Sequence, residues 1–105
     1  MKSYKIAIIG MGYVGLPLAL ALSKKFKVVG FDNSTKRIDS LKKFKDLNNE
    51  HSFYEIKSRK KLLSFSKSHN EINDCNVYII CVPTPLKQKN KPDLSFLYEA
   101  TKLLL

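Results

Sequence analysis

All four glycines of the chain lie between residues 10 and 30, and three of them form Gly10-Met11-Gly12-Tyr13-Val14-Gly15. That spacing suits a backbone that must hold a diphosphate without side chains. Gly10 permits a tight turn out of a strand, Gly12 removes a Cβ where phosphate oxygens must approach, and Gly15 lets the next helix lie close on a sheet. The oxygens then meet unpaired N–H groups at the positive end of a helix dipole. Asp32 follows at the interval of about 20 residues that a dinucleotide site requires. A carboxylate there accepts hydrogen bonds from both adenosine ribose hydroxyls and repels a 2′-phosphate, which favours NAD over NADP. Lys36 and Arg37 could neutralise such a phosphate, but Asn33 directly follows the acid, so NAD remains the expectation. Taken singly, the glycines could form a ligand-free turn and Asp32 a helix cap; together, in strand, turn, helix and strand context, they point to a nucleotide site.

The surrounding pattern supplies that context. Residues 4–9 are a short β-prone run ending at Gly10, and residues 13–25 are rich in Leu and Ala and end in Ser23-Lys24-Lys25, cations that suit the negative end of a helix. Pro17 falls in or beside the first turn, where few helical bonds are lost. Residues 26–31 form a second strand. Ser34 or Asn33 then caps a helix in which Ile38, Leu41 and Phe44 share a face. Between 46 and 61 the chain is polar and basic, with Phe53 and Ile56 spaced for a short helix. Residues 62–65 suggest a minor strand, 71–75 a turn, and 76–82 a strand apolar on both faces, as inside a parallel sheet. Pro83, Pro85 and Pro92 mark a loop, and Ser95 caps a final helix through Leu104. The expected fold is α/β, a partial Rossmann-type doubly wound, mostly parallel sheet with helices on both faces.

At 105 residues, 44% hydrophobic and 27% charged, the chain is one globular domain at most. Its formal charge of +10 peaks around Lys57, Arg59, Lys60 and Lys61, while residues 68–105 carry as many acids as bases. Without interleaved aromatics or a reader motif, the excess predicts no specific nucleic-acid partner. Cys75 and Cys81 read as free structural thiols, and with His51 and His69 isolated no metal site is expected. The apolar stretch after Lys5 imitates a signal peptide, but three glycines and Pro17 interrupt it, and it is too short for a membrane span. A cytoplasmic protein with no membrane partner is expected.

Residues 5–17, Val29-Gly30-Phe31-Asp32 with Arg37-Ile38, Val82-Pro83-Thr84-Pro85 and Lys91-Pro92-Asp93-Leu94 closely resemble the N-terminal region of the UDP-glucose/GDP-mannose dehydrogenases. Among these, the chain is most similar to the bacterial UDP-N-acetyl-hexosamine 6-dehydrogenases, which make uronic acid precursors of surface polysaccharides. The resemblance implies that Gly12, Tyr13 and Val14 bind the pyrophosphate through their backbone, within the turn framed by Gly10 and Gly15. It places Asp32 on the adenosine ribose, Arg37 on the adenosine side, and Val82, Pro83 and Thr84 along the cofactor. It also implies an oxidation of the sugar C6 hydroxyl to a carboxylate with two NAD per turnover, through a cysteine that forms thiohemiacetal and thioester intermediates.

Neither Cys75 nor Cys81 matches the surroundings of that nucleophile, so no catalytic residue is assigned. Residues 1–105 are expected to be an incomplete N-terminal NAD-binding domain without the substrate and catalytic domains, and inactive alone. The nucleotide sugar is then a partner only of the full-length enzyme. A last helix ending in Leu103-Leu104-Leu105 exposes apolar surface that favours self-association into a homo-oligomer. Two other readings stand beside this one: a stand-alone NAD-binding regulatory module, and a basic nucleic-acid-associated protein.

Overall fold

A computed structural model of the chain describes residues 3–82. Strands β1 (Lys5–Ile9), β2 (Lys27–Phe31), β3 (Leu63–Ser66) and β4 (Val77–Ile80) form one sheet in the order β3-β2-β1-β4. Every pairing is parallel, with Ile8 opposite Gly30 on one side and Ile79 on the other. Parallel neighbours need a crossover, and here α1 (Gly15–Leu22) connects β1 to β2, while α2 (Thr35–Lys42) and α3 (Phe53–Lys57) connect β2 to β3. The loop expected from the three prolines and the helix expected after Ser95 lie outside the described residues.

The apolar residues of β1 divide between the two faces of the sheet, as a period of two dictates. Ile6 and Ile8 point to a core shared with Leu16, Ala19 and Leu20 of α1, Ile38 and Leu41 of α2, and Ile56 of α3. On the other face Ala7 and Ile9 pack with Val29, Phe31, Ile72 and Cys75, the last two from the stretch that follows a 3-10 turn at His69–Glu71. Both faces of β1 are therefore covered. This is why the strand reads as an unbroken apolar run.

Local chemistry sets the ends of the helices. The Ser34 hydroxyl accepts the Arg37 N–H at 3.2 Å and caps α2, and Ser52 caps α3 in the same way through Glu55. Helix α1 is shorter than the run at 13–25 suggests, because residues 23–25 close as tighter turns, with Lys24 and Lys25 donating to Ala21 and Leu22. Phe44, expected on the inner face of α2, instead follows the end of that helix with φ 62°. There Phe44 N–H bonds Leu41 C=O and Lys45 N–H bonds Ser40 C=O, the paired bonds of a left-handed helix stop. The ring still packs on the core and meets Phe53 edge to face at 5.7 Å.

Ile8 has no exposed surface, so Ile8→Ala should lower the unfolding free energy by about 2–5 kcal/mol. Ser34→Ala should remove about 1 kcal/mol. Urea titration of both variants checks the contrast; equal losses would contradict the central position of β1.

Candidate nucleotide-binding site

At the C-terminal ends of β1 and β2 a cleft of about 360 Å³ opens, lined by Gly10, Met11 and Gly12, by Asp32, Ser34 and Arg37, and by Cys81 and Val82 after β4. The position follows from topology. The chain leaves β1 toward β2 on one side, whereas β4 joins on the other, and in open parallel sheets the crevice at this switch takes ligands.

The three glycines serve different physical ends. Gly10 has φ +105°, and a Cβ there would lie 2.7 Å from the Cys81 carbonyl oxygen. A Cβ on Gly15 would come within 1.7 Å of the Gly10 carbonyl oxygen, so the start of α1 can approach β1 only without one. Among the described residues, a Cβ on Gly12 would meet nothing within 4 Å. Packing therefore explains Gly10 and Gly15, while Gly12 borders open space that a ligand can use.

The backbone presents donors toward that space. Among the described residues, the N–H groups of Gly12, Tyr13, Val14 and Gly15 have no hydrogen-bond partner, while Leu16 N–H already bonds Gly12 C=O at 3.3 Å. These are the orphan amides of a helix start, where the dipole favours negative charge. The side chains of Tyr13 and Val14 are 69% and 67% exposed, and neither lines the cleft.

Side chains hold this turn from beneath. Asp32 accepts Met11 N–H through Oδ2 and Ser34 N–H through Oδ1, both at 2.9 Å, so its carboxylate lies against the glycine turn, with lone pairs remaining on each oxygen. Arg37 donates from Nε to the Met11 carbonyl at 2.6 Å and from Nη1 to Asp46 Oδ1 at 2.7 Å. Asp46, its side chain 1% exposed, also accepts the N–H groups of Asn48, Glu50 and His51. Burial pushes the Asp46 carboxyl up. The hydrogen bond from Arg37, the amides of Asn48 and Glu50 and the Arg37 charge outweigh it, and the carboxyl is held below its ordinary value.

The structure thus brings Gly10, Gly12, Asp32, Arg37 and Val82 to one cleft and puts Tyr13, Val14 and Gly15 at the helix start beside it; Pro83 and Thr84 lie outside the described residues. Two contributors went unread in the sequence. Met11 is wholly buried and fills the space left by Gly30, where a Cβ would lie 2.5 Å from its sulfur. Asp46 stood in the stretch least legible by pattern, and its one signal is the Asp-Leu-Asn-Asn sequence, typical of a turn built by a side-chain carboxylate.

The cationic stretch is partly spent on structure. Arg59 donates to the Leu20 carbonyl at 3.1 Å and Lys57 lies 5.5 Å from the Phe53 ring centre. Lys60 and Lys61 line a separate groove with Lys5 and Lys27 at the opposite ends of the strands. Cys75 and Cys81 are free and pack with the cores on opposite faces of the sheet; burial raises both thiol pKa values. Among the described residues no helix is long and apolar enough to cross a membrane.

Residues 4–105 match the UDP-glucose/GDP-mannose dehydrogenase family, NAD binding domain. The chain belongs to this family. It is 47% identical over 98 residues to a UDP-N-acetyl-D-glucosamine 6-dehydrogenase of Salmonella typhi, covering 93% of this chain and 23% of that protein. It is 42% identical over 102 residues to the Pseudomonas aeruginosa protein of the same description, covering 97% and 24%. A UDP-D-ManNAc dehydrogenase structure from Pyrococcus horikoshii superposes with a TM-score of 0.87 at 31% identity, over 95% of this chain and 25% of that one. The chain thus spans about a quarter of the relatives it matches. The domain is an NAD-binding, Rossmann-like one of the nucleotide-sugar dehydrogenases, as its glycines and acid led one to expect.

A carboxylate whose folded pKa is depressed contributes stability that is complete above its unfolded value, about 3.9, and is lost as pH falls through the folded value. Asp46 is such a group. The stability of the wild type should therefore fall more steeply below about pH 5 than that of Asp46→Asn, which starts lower at neutral pH. Parallel urea-stability curves from neutral to acid pH would show that Asp46 carries no such coupling.

Proposed function

We propose that residues 1–105 form the NAD-binding domain of a nucleotide-sugar 6-dehydrogenase that oxidises the C6 hydroxyl of a UDP-N-acetyl-hexosamine to a carboxylate. The observation that carries the reading is the run of four amides, Gly12 to Gly15, that have no partner among the described residues, beside an open Cβ position and the Asp32 carboxylate. NAD, when bound, accepts the hydride released at C6, and taking an alcohol to a carboxylate releases two. The sugar class rests on the Salmonella typhi and Pseudomonas aeruginosa relatives, each a UDP-N-acetyl-D-glucosamine 6-dehydrogenase.

Each residue then has a defined task. The amides of Gly12, Tyr13 and Val14 donate to the diphosphate oxygens in the field of α1, in the turn that Gly10 and Gly15 make possible. Asp32, its oxygens each half occupied by Met11 and Ser34, takes the adenosine ribose hydroxyls and repels a 2′-phosphate. Arg37, with Nη2 unpartnered among the described residues, lies on the adenosine side. Val82, followed by Pro83 and Thr84, lines the cofactor beyond β4. The two thiols are poor nucleophiles, since burial disfavours their thiolates. Residues 1–105 therefore bind NAD without turning over a nucleotide sugar, and their free thiols fit a reducing cytoplasm.

Calorimetric titration should show tighter binding of NAD than of NADP; equal or reversed affinity would overturn the role of Asp32. Gly12→Val should abolish NAD binding while thermal unfolding stays near wild type, because the protein leaves that Cβ position open. Retained affinity would place the diphosphate elsewhere.

A further inference from the structure

Asp46 lies outside the cleft lining, and the reading above gives it no task. Its side chain nevertheless accepts four hydrogen bonds, from Arg37 Nη1 and from the amides of Asn48, Glu50 and His51, and it is almost wholly enclosed. The guanidinium it holds reaches across to the Met11 carbonyl. A guanidinium is a rigid planar fork, so seating Nη1 on an immobile carboxylate fixes the direction in which Nε donates.

The carbonyl at the end of that chain belongs to the peptide that carries the Gly12 N–H. In a trans peptide the C=O and N–H point in opposite directions, and no peptide here is cis. Whatever holds the Met11 oxygen therefore aims the Gly12 amide the other way. Glycine has no side chain with which to restrain itself, and it gives up more conformational freedom than any other residue when ordered. Asp32 holds the preceding peptide through Met11 N–H, which leaves the Met11–Gly12 peptide to Arg37.

We propose that Asp46 is a positioning residue for the diphosphate: through Arg37 it fixes the Met11–Gly12 peptide so that the Gly12 N–H faces the ligand. The inference rests on the reading of the cleft as a dinucleotide site and extends it to a residue that touches no ligand. Lysine cannot replace Arg37 in this role, since a compact ammonium on a flexible stem lacks the two-pronged geometry.

The full chain tests this with Asp46→Asn, and with Arg37→Lys should Asp46→Asn fail to unfold cooperatively. Two ligands are compared by titration: ADP-ribose, which carries the diphosphate, and adenosine, which does not. The Asp46→Asn protein should lose affinity for ADP-ribose by about tenfold, the scale of one well-placed hydrogen bond, and keep its affinity for adenosine. The Arg37→Lys protein should show a similar loss for ADP-ribose. In the double variant the loss should not exceed that of the larger single one, because both changes break the same link. A loss of stability alone would weaken both ligands alike, and that outcome, or an unchanged ADP-ribose affinity, overturns the proposal.

A ligand-free readout separates this failure from that of the nucleotide site. The NMR order parameter of the Gly12 N–H should fall in Asp46→Asn while that of Ala7 in β1 does not change. A lowered order parameter in a chain that binds no ADP-ribose would overturn the site and keep the link; an unaltered order parameter at Gly12 overturns the link itself.

Discussion

A turn that binds a diphosphate through its backbone must keep its amides unpaired and still hold them in place. These demands oppose each other, because the ordinary way to immobilise an amide is to hydrogen-bond it. Here the restraint comes from every other part of the turn. The Met11 side chain is buried beneath Gly30, its N–H is taken by Asp32, its carbonyl by Arg37, and the flanking glycines press against Cys81 and each other. What remains free among the described residues is the set of donors at the head of α1.

The rest of the architecture follows from holding that turn at the centre of a sheet. With β1 flanked by β2 and β4, the end of β1 opens into the crevice between the two crossovers, and the end of β2 delivers Asp32 beside it. Gly10 N–H continues the ladder to Phe31 C=O at 2.7 Å, and Cys81 N–H bonds Ile9 C=O at 2.7 Å. The turn thus starts from backbone fixed on both sides. Among the described residues, Lys5, Lys27, Lys60 and Lys61 line the groove at the far ends of the strands, away from this cleft. In the proposed reading, attraction for the ligand at the cleft comes from oriented amides and the dipole of α1, which act at short range and with direction.

Family membership gives an NAD-binding domain and leaves the residues that bind and the chemistry of oxidation to proposal. The chain spans about a quarter of the length of its relatives, and the described residues contain a cleft at the ends of the strands and two thiols whose pKa values burial raises. Binding and chemistry are separable in such enzymes, since the cofactor carries the hydride and the protein supplies position and field.

The sequence by itself determined the sheet-forming runs, a helix cap at Asn33 or Ser34, the glycine turn and the acid at the end of β2. Each depends on residues within a few positions of one another, or on a spacing imposed by one strand–helix–strand unit. Tertiary structure alone decided that Met11 needs Gly30 and that Asp46 holds Arg37 against the Met11 carbonyl. Those fits join residues far apart in the chain: Arg37 and Met11 are separated by 26 positions. A short acidic side chain in a polar stretch has no periodicity to betray it. Its partner is chosen by where the fold places a carbonyl, and that position exists only once the strands have paired.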